Sequence, residues 1–369
     1  MMCSRRACRR MPVLISALLL VTAALLAQPS RVELINADIS RGEVLPGGEP
    51  IRILEGNVHV RQDTLEIFCD KATYYRTSRK VLMVGNVRMI RGVEVLTARQ
   101  VTYFDARRVA IAERDVHLTR PGQAMRSHYL EYYYDTDEAY ARDRLWLKDD
   151  ESRVTITGRE GRYLPAEARS IVRGNARLRQ DPPDAGDTLR IDASTLEYRF
   201  SGERLAVAVD TVVIRRGDLT AWCDSATYVL DREVAFLNRE PRARQAGNAL
   251  TGQEMTLQFN GSSVDHILVK GMAVATSVED SVAGRVNRLS GQEIRAFLAE
   301  GRLRELVAVT NARSTYYIKE DDVEQGINTA SADTIQIGFA AGNLETITVK
   351  SGSQGTFYPA DFKGKIETE

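Results

Sequence analysis

Apolar side chains along this chain recur at spacings of two, three and two residues. Ile67, Cys69, Ala72 and Tyr74 set the pattern. Ala221, Cys223, Ala226 and Tyr228 repeat it in a nearly identical stretch, Ile67-Phe-Cys-Asp-Lys-Ala-Thr-Tyr74 against Ala221-Trp-Cys-Asp-Ser-Ala-Thr-Tyr228. Further copies stand at Leu96/Ala98/Val101/Tyr103, Met125/Ser127/Leu130/Tyr132, Ile156/Gly158/Gly161/Tyr163, Ile191/Ala193/Leu196/Tyr198 and Leu250/Gly252/Met255/Leu257. Weaker ones follow at Leu289/Gly291/Ile294/Ala296 and Ala330/Ala332/Ile335/Ile337. The small residue falls at 69, 98, 127, 158, 193, 223, 252, 291 and 332, in steps of 29 to 41 residues. Self-similarity at that period is the mark of a repeat architecture.

The spacing excludes a helix, because at about 100° per residue the four positions scatter around the cylinder. It fits two short strand segments whose inward positions alternate, separated by a step of three that flips the parity. Strands absorb such a flip with a bulge or a corner, and the spacing predicts the small residue at that corner. Between copies runs a second alternating segment with Gly-Asn at its turn signal, as in Val81-Leu-Met-Val-Gly85-Asn86-Val87-Arg-Met89 and Ile171-Val-Arg-Gly174-Asn175-Ala176-Arg-Leu178. One unit cannot bury its apolar face alone, whereas stacked units bury a continuous one. The expectation is an all-β protein of stacked antiparallel strands, built from about nine repeats of ~30 residues.

Residues 1–27 read as a signal peptide: Arg5, Arg6, Arg9 and Arg10 precede an uncharged apolar run from Met11 to Ala27 that ends Leu-Leu-Ala, with a small residue at the cut. A retained membrane anchor is the alternative. A lead-in occupies 28–50, with pairing expected to start near Ile51. The repeats fill 51–180 and 188–358, separated by the Pro- and Asp-rich segment 181–187, read as a loop in preference to a hinge, so that the second half continues the first. Insertions around 277–288 and 319–326 account for the two longest steps, 292–303 carries some helix-friendly residues, and 359–369 is a tail. The whole chain carries 50 basic and 50 acidic side chains, so loss of four signal arginines leaves it slightly acidic, and nothing points to nucleic acid. An exported chain raises the question of a disulfide. Cys69 and Cys223 occupy the same slot five units apart, beyond the ~7 Å reach of a bridge at ~4.8 Å per strand. Two buried free thiols are expected.

Catalytic chemistry is not legible. His59 and His117 alternate outward, His128 lies at a corner, and His266 follows Asp265. Asp149-Asp-Glu151 and Glu320-Asp-Asp322 are loop carboxylates without a recognised calcium-loop spacing. No phosphate loop, zinc helix or nucleophile elbow is present. The terminal Tyr of six units reads as a packed ring with its hydroxyl in solvent, ahead of a carbohydrate ladder. Two outcomes stay open for the aligned apolar face: a dry core, or a partly open trough suited to long acyl chains.

The Gly-Asn-Val turns at Glu55-Gly56-Asn57-Val58-His59-Val60 and Gly85-Asn86-Val87-Arg88-Met89, with the apolar-x-Ala/Cys-Asp-x-Ala-x-Tyr pattern of Ile67–Tyr74, resemble the OstA-like family of lipopolysaccharide-transport proteins. The likeness is to the LptA type and to the periplasmic domain of the LptD type, and it spans roughly 51–350. It implies an elongated open β-jellyroll, a twisted slab whose apolar inner face holds acyl chains. It also implies a periplasmic, non-enzymatic bridge with no cofactor or metal, passing lipopolysaccharide or a similar acylated lipid towards the outer membrane. Other OstA-like components, or further copies of the chain, would pair strand to strand at its ends. The chain is longer than the usual LptA type and lacks an LptD-type barrel; a retained signal would be similar to the LptC type. On this reading the lipid groove is lined by Val58, Val60, Ile67, Val87, Met89, Leu96, Leu118, Met125, Leu130, Ile156, Ile191, Leu196, Val212, Ile214, Leu250 and Met255. The rivals are a closed β-solenoid scaffold with no groove, and a polysaccharide-acting β-helix enzyme, which would need an outward cluster of acids and bases.

Overall fold

A computed structural model describes residues 32–183, 186–261, 263–280, 285–299, 301–320, 323–340 and 343–364. The signal segment, with Cys3 and Cys8, lies outside the described residues, as do parts of the 181–187 loop and of the tail.

Among the described residues the sheet is one ladder of 24 strands. From Pro50–Gln62 through Leu219–Val229 each strand pairs antiparallel with the one before it and the one after. Arg169–Gln180 pairs with Leu189–Arg199, so the ladder runs straight across the 181–187 segment. Pairing begins earlier than Ile51: Val32–Asn36 and Ile39–Val44 lie end to end along Pro50–Gln62. The last edge mirrors this, with Asn343–Lys350 and Gln354–Pro359 sharing Val323–Ala340. Between Leu219–Val229 and Ser263–Asp280 the rungs are split into halves, Val234–Asn238 with Arg242–Gln245 and Asn248–Thr251 with Glu254–Asn260. Pro241 interrupts the first of these because it has no N–H to donate. Residues 292–303, helix-friendly by composition, fall in Arg285–Ala299, its turn and the start of Arg302–Glu320, where tertiary pairing overrides propensity.

Every full strand is folded over near its middle, giving two walls that face each other across the core. The fold is made by pairs of consecutive left-handed residues, among them Gly56-Asn57, Gly85-Asn86, Gly174-Asn175 and Gly271-Met272. Arg114-Asp115, Asp143-Arg144, Asp210-Thr211 and Thr310-Asn311 adopt the same conformation without glycine. The register shows where the extra residue sits. Phe68 pairs with Arg88 and Lys71 with Val84, three steps on the motif strand against four on the Gly-Asn strand. The bulge therefore belongs to the Gly-Asn strand, whereas the spacing had placed the corner's distortion at the small residue of the motif strand. The small residue answers crowding instead: a Cβ at Gly158 or Gly252 would come within 2.4 Å of Val172 or Val269.

The carboxylate beside the corner caps the neighbouring bulge. Asn86 Nδ2 donates to Asp70 at 3.0 Å, and Asn57 Nδ2 donates to Asp38 at 3.0 Å. A Cβ on Gly85 would stand 2.2 Å from the Asp70 carboxylate. Gly85→Ala thus meets both a left-handed backbone and a displaced cap, whereas Gly92→Ala, at φ 58° with open space around it, meets only the first. Denaturant unfolding is expected to show Gly85→Ala the less stable by at least about 1 kcal/mol. Equal losses would contradict the capping role.

Beyond Ser263 the strands lengthen. Ser263–Asp280 has 18 residues, Arg302–Glu320 has 19 and Val323–Ala340 has 18, against 11 to 13 in the full strands from Pro50–Gln62 to Leu219–Val229. The two long sequence steps are these hairpins growing outward from the bend, so the walls are taller at the C-terminal end.

Candidate functional site

The space between the walls is filled by one apolar cluster that runs from Leu54 to Ile337. The groove candidates line it. Val58, Ile67, Val87, Met89, Leu96, Leu118, Met125, Leu130, Ile156, Ile191, Leu196, Val212, Ile214, Leu250 and Met255 are all buried, and Val60 is half-buried against them. Each fully buried Leu, Ile or Met contributes about 1.5–3 kcal/mol.

What closes this space is the last residue of the repeat. In four central units its hydroxyl reaches the rim of the opposite wall. Tyr132 accepts from Arg91 at 2.9 Å and Arg120 at 3.0 Å and sits 3.0 Å from Glu94. Arg120 also donates to the Tyr163 hydroxyl at 2.9 Å. Tyr198 donates to Asp149 at 2.7 Å, and Tyr228 donates to Gln180 at 2.8 Å. Burial raises the Tyr132, Tyr198 and Tyr228 hydroxyls above the ordinary phenol range, so all three keep their protons at neutral pH. These hydroxyls are not in solvent, as the sequence reading had them: the hairpin tips carry inward-pointing polar groups at matching height, and a buried phenol takes a partner when one is within reach. Asp149, read from sequence as a solvated loop carboxylate, is instead part of this rim. It is 9% exposed and also accepts from the Ser152 hydroxyl at 3.1 Å. Behind this seam the cavity that touches Leu118, Met125 and Ile156 measures only about 60 Å³.

The seam ends where the tyrosines end. The equivalent residues of the last three units are Leu257, Ala296 and Ile337. There a cavity of about 720 Å³ opens between the taller walls, within the roughly 300–1,000 Å³ of typical ligand pockets. Its apolar lining includes Leu219, Leu250, Ile267, Leu289, Ala296, Leu298, Leu306 and Ile337, and Asn248, Ser277, Asn287 and Tyr317 supply polar contacts. One polar strap crosses it: the Gln245 amide donates to Asp218 at 2.7 Å and to the Gly301 carbonyl at 2.9 Å. At the junction of seam and cavity lies Arg216, only 5% exposed, with its guanidinium over the Phe259 ring at 5.1 Å. It donates to the Gly261 carbonyl, while its Nε and Nη1 find no partner among the described residues.

Of the sequence candidates only Leu250 touches the large cavity. Ile267, Leu289, Leu298, Leu306 and Ile337 were missed because they sit in the weaker copies and the strands that join them, and Leu219 because it precedes the first motif position of a strong copy. The signal that could have found them was the loss of the terminal Tyr.

Cys69 and Cys223 are buried, unbridged thiols. Among the described residues no three metal-ligating side chains gather. His59 stacks on Phe68 at 4.2 Å and His266 pairs with Asp265 at 3.0 Å, both on the outer faces. The carboxylates of 320–322 fall outside what the structure describes in side-chain detail.

Burial pushes both thiols up to about 12. Between about pH 9 and 12 the unfolded chain therefore loses thiol protons that the folded chain keeps, and stability falls as pH rises. Cys69→Ala with Cys223→Ala is expected to flatten that part of the stability–pH curve, and native thiols are expected to resist an aqueous thiol reagent at pH 8. For the seam, Tyr198→Phe leaves Asp149 short of a donor and should cost about 1–3 kcal/mol in denaturant unfolding. Tyr74→Phe, whose hydroxyl bonds nothing among the described residues, should stay within about 0.5 kcal/mol.

Residues 30–184 match the family model described as OstA-like protein. Among solved structures the chain is similar to LptH of Pseudomonas aeruginosa, the LptA-homologous periplasmic component of the lipopolysaccharide transport device. That alignment has 15% identity and a TM-score of 0.30, over 38% of this chain and 95% of the other. No curated protein matches.

Proposed function

We propose that this chain, OstA-like over residues 30–184, is a non-enzymatic periplasmic carrier for lipopolysaccharide or a similarly acylated lipid. The observation that carries this reading is the cavity of about 720 Å³ at the end of the ladder where the tyrosine seam stops, its apolar lining joined by Asp218, Arg244, Arg288 and Arg302. Acyl chains entering it leave water at about 25 cal/mol per Å² of apolar surface, and shallow, similar contacts along Leu289, Leu298 and Ile337 let them slide. Beyond it, the other fifteen groove candidates continue the apolar lining, and lipid passing along them displaces the tyrosine seam one rung at a time.

The ends support assembly. Val32–Asn36 and Ile39–Val44 form an edge whose Val32, Leu34, Ile35, Ile39 and Val44 are exposed, and an exposed edge strand accepts a further strand. Other OstA-like components, or copies of this chain, are the partners such an edge fits. The sealed first half favours a second reading, a closed scaffold that carries no lipid.

A photo-crosslinking residue placed at Leu298, Ile156 or Lys71 separates the two. With purified protein and lipopolysaccharide, Leu298 is expected to give the strongest adduct, Ile156 less, and outward-facing Lys71 only background. Ala296→Trp, which puts a ring back into the cavity, should reduce the Leu298 adduct several-fold. Background labelling at both Leu298 and Ile156 would select the scaffold.

A further inference from the structure

The outer faces of the two walls differ in charge, and the difference is concentrated in one patch. On the wall formed by the first half of each motif, the register aligns Arg126, Trp146, Thr157, Arg177, Asp192, Val213, Trp222 and Arg242 in one lateral row. The next outward row aligns Lys148, Thr155, Arg179, Arg190, Arg215, Thr220 and Arg244. All eight cations are exposed, against a single acid within the rows. Asp192 pairs with Arg177 and with Arg215 at 2.7 Å, while Asp150 and Asp181 at the hairpin tips pair with Lys148 and Arg179. Arg126, Arg190, Arg242 and Arg244 have no ion-pair partner among the described residues. The other wall of the same strands is balanced: Arg142 neighbours Glu160, which neighbours Arg173, and one row on Glu131 and Glu197 offset Arg162.

Both tryptophans of the protein lie in this patch. Trp222 is 37% exposed and Trp146 half-buried, with the Arg126 guanidinium over its ring at 4.7 Å. Five strand spacings separate them, about 24 Å at ~4.8 Å each. Core packing does not demand a Trp on an outward row. Indole with Arg and Lys around it is the composition that settles at the headgroup level of a bilayer, and exposed cations are drawn to anionic lipid.

We propose that the patch from Trp146 to Trp222 docks the protein flat against an anionic phospholipid membrane, with the two indoles at headgroup depth and the arginines on lipid phosphates. Lateral docking of this kind leaves both ends of the ladder free.

The test is co-sedimentation of the full chain with vesicles of phosphatidylglycerol and phosphatidylcholine, with pure phosphatidylcholine vesicles and duplex DNA as alternatives. Binding is expected to the anionic vesicles alone, weakening with salt, with a blue shift in indole emission that Trp222→Phe diminishes. Arg190→Glu with Arg242→Glu should weaken it roughly 25-fold or more, whereas Arg162→Glu with Arg173→Glu, the same charge change on the other wall, should leave most of it. Ala296→Trp, which blocks the cavity, should not affect it, so loss of lipid carriage and loss of docking are separable. Equal binding to phosphatidylcholine, equal affinity for DNA, or equal loss in both charge variants would overturn the proposal.

Discussion

The architecture depends on a two-residue backbone feature. A flat ladder of this many antiparallel strands would leave one apolar face in water. Folding every strand at the same height turns that face onto itself. The device is the pair of left-handed residues opposite the small position of the neighbouring strand, and it recurs at each Gly-Asn strand whether or not glycine is there. Left-handed Arg, Asp and Thr cost about 1–2 kcal/mol each. They persist because an out-of-register bend would break the pairing on both sides. Asp70 over Gly85-Asn86 shows how a neighbouring strand locks the feature in place.

Given the bend, the fate of the interior is set at the opposite rim. Where Tyr132, Tyr163, Tyr198 and Tyr228 reach across, polar groups on both walls satisfy one another and the space between is filled by Leu, Ile, Val and Met. Where Leu257, Ala296 and Ile337 replace them, the rim loses both a ring's volume and a hydrogen-bonding tip. The walls there are also taller, so a cavity is left. One repeat thus builds both a sealed segment and an open one. The sealed part holds the ladder together, and the open part leaves space between the walls.

Much of this was legible in the residues. Spacings of two, three and two excluded helices, identified the strands and placed the groove positions inward, where all but Val60 are buried, although Tyr74, inward by the same rule, is 37% exposed. Cys69 and Cys223 are indeed free and buried. Three things were not legible. The bulge's strand was misplaced because a parity flip on one strand can be absorbed by either partner, and only the register between Phe68 and Lys71 decides. The edge strands before Ile51 were read as a lead-in because Gly and Pro there mask a short pairing run. The seam was missed because the partner of each tyrosine lies 12 to 49 residues away in sequence, on the far wall, where no local pattern reveals it. The same distance hid Asp149, which as a loop carboxylate looked like a solvated acid. The cavity, by contrast, was foreshadowed: the three units that broke the Tyr rule are the ones that depart from the filled core.

Cysteine accessibility scanning tests the central claim most directly. In a Cys69→Ala, Cys223→Ala background, single substitutions Leu130→Cys and Leu196→Cys probe the interior behind the seam, and Leu298→Cys and Leu303→Cys probe the open section. The account predicts fast maleimide labelling at Leu298→Cys and Leu303→Cys, protected by added lipid, and none at the other two until the protein is unfolded. Labelling of Leu130→Cys and Leu196→Cys at the same rate as the open-section pair would contradict a trough sealed by tyrosines and open beyond them.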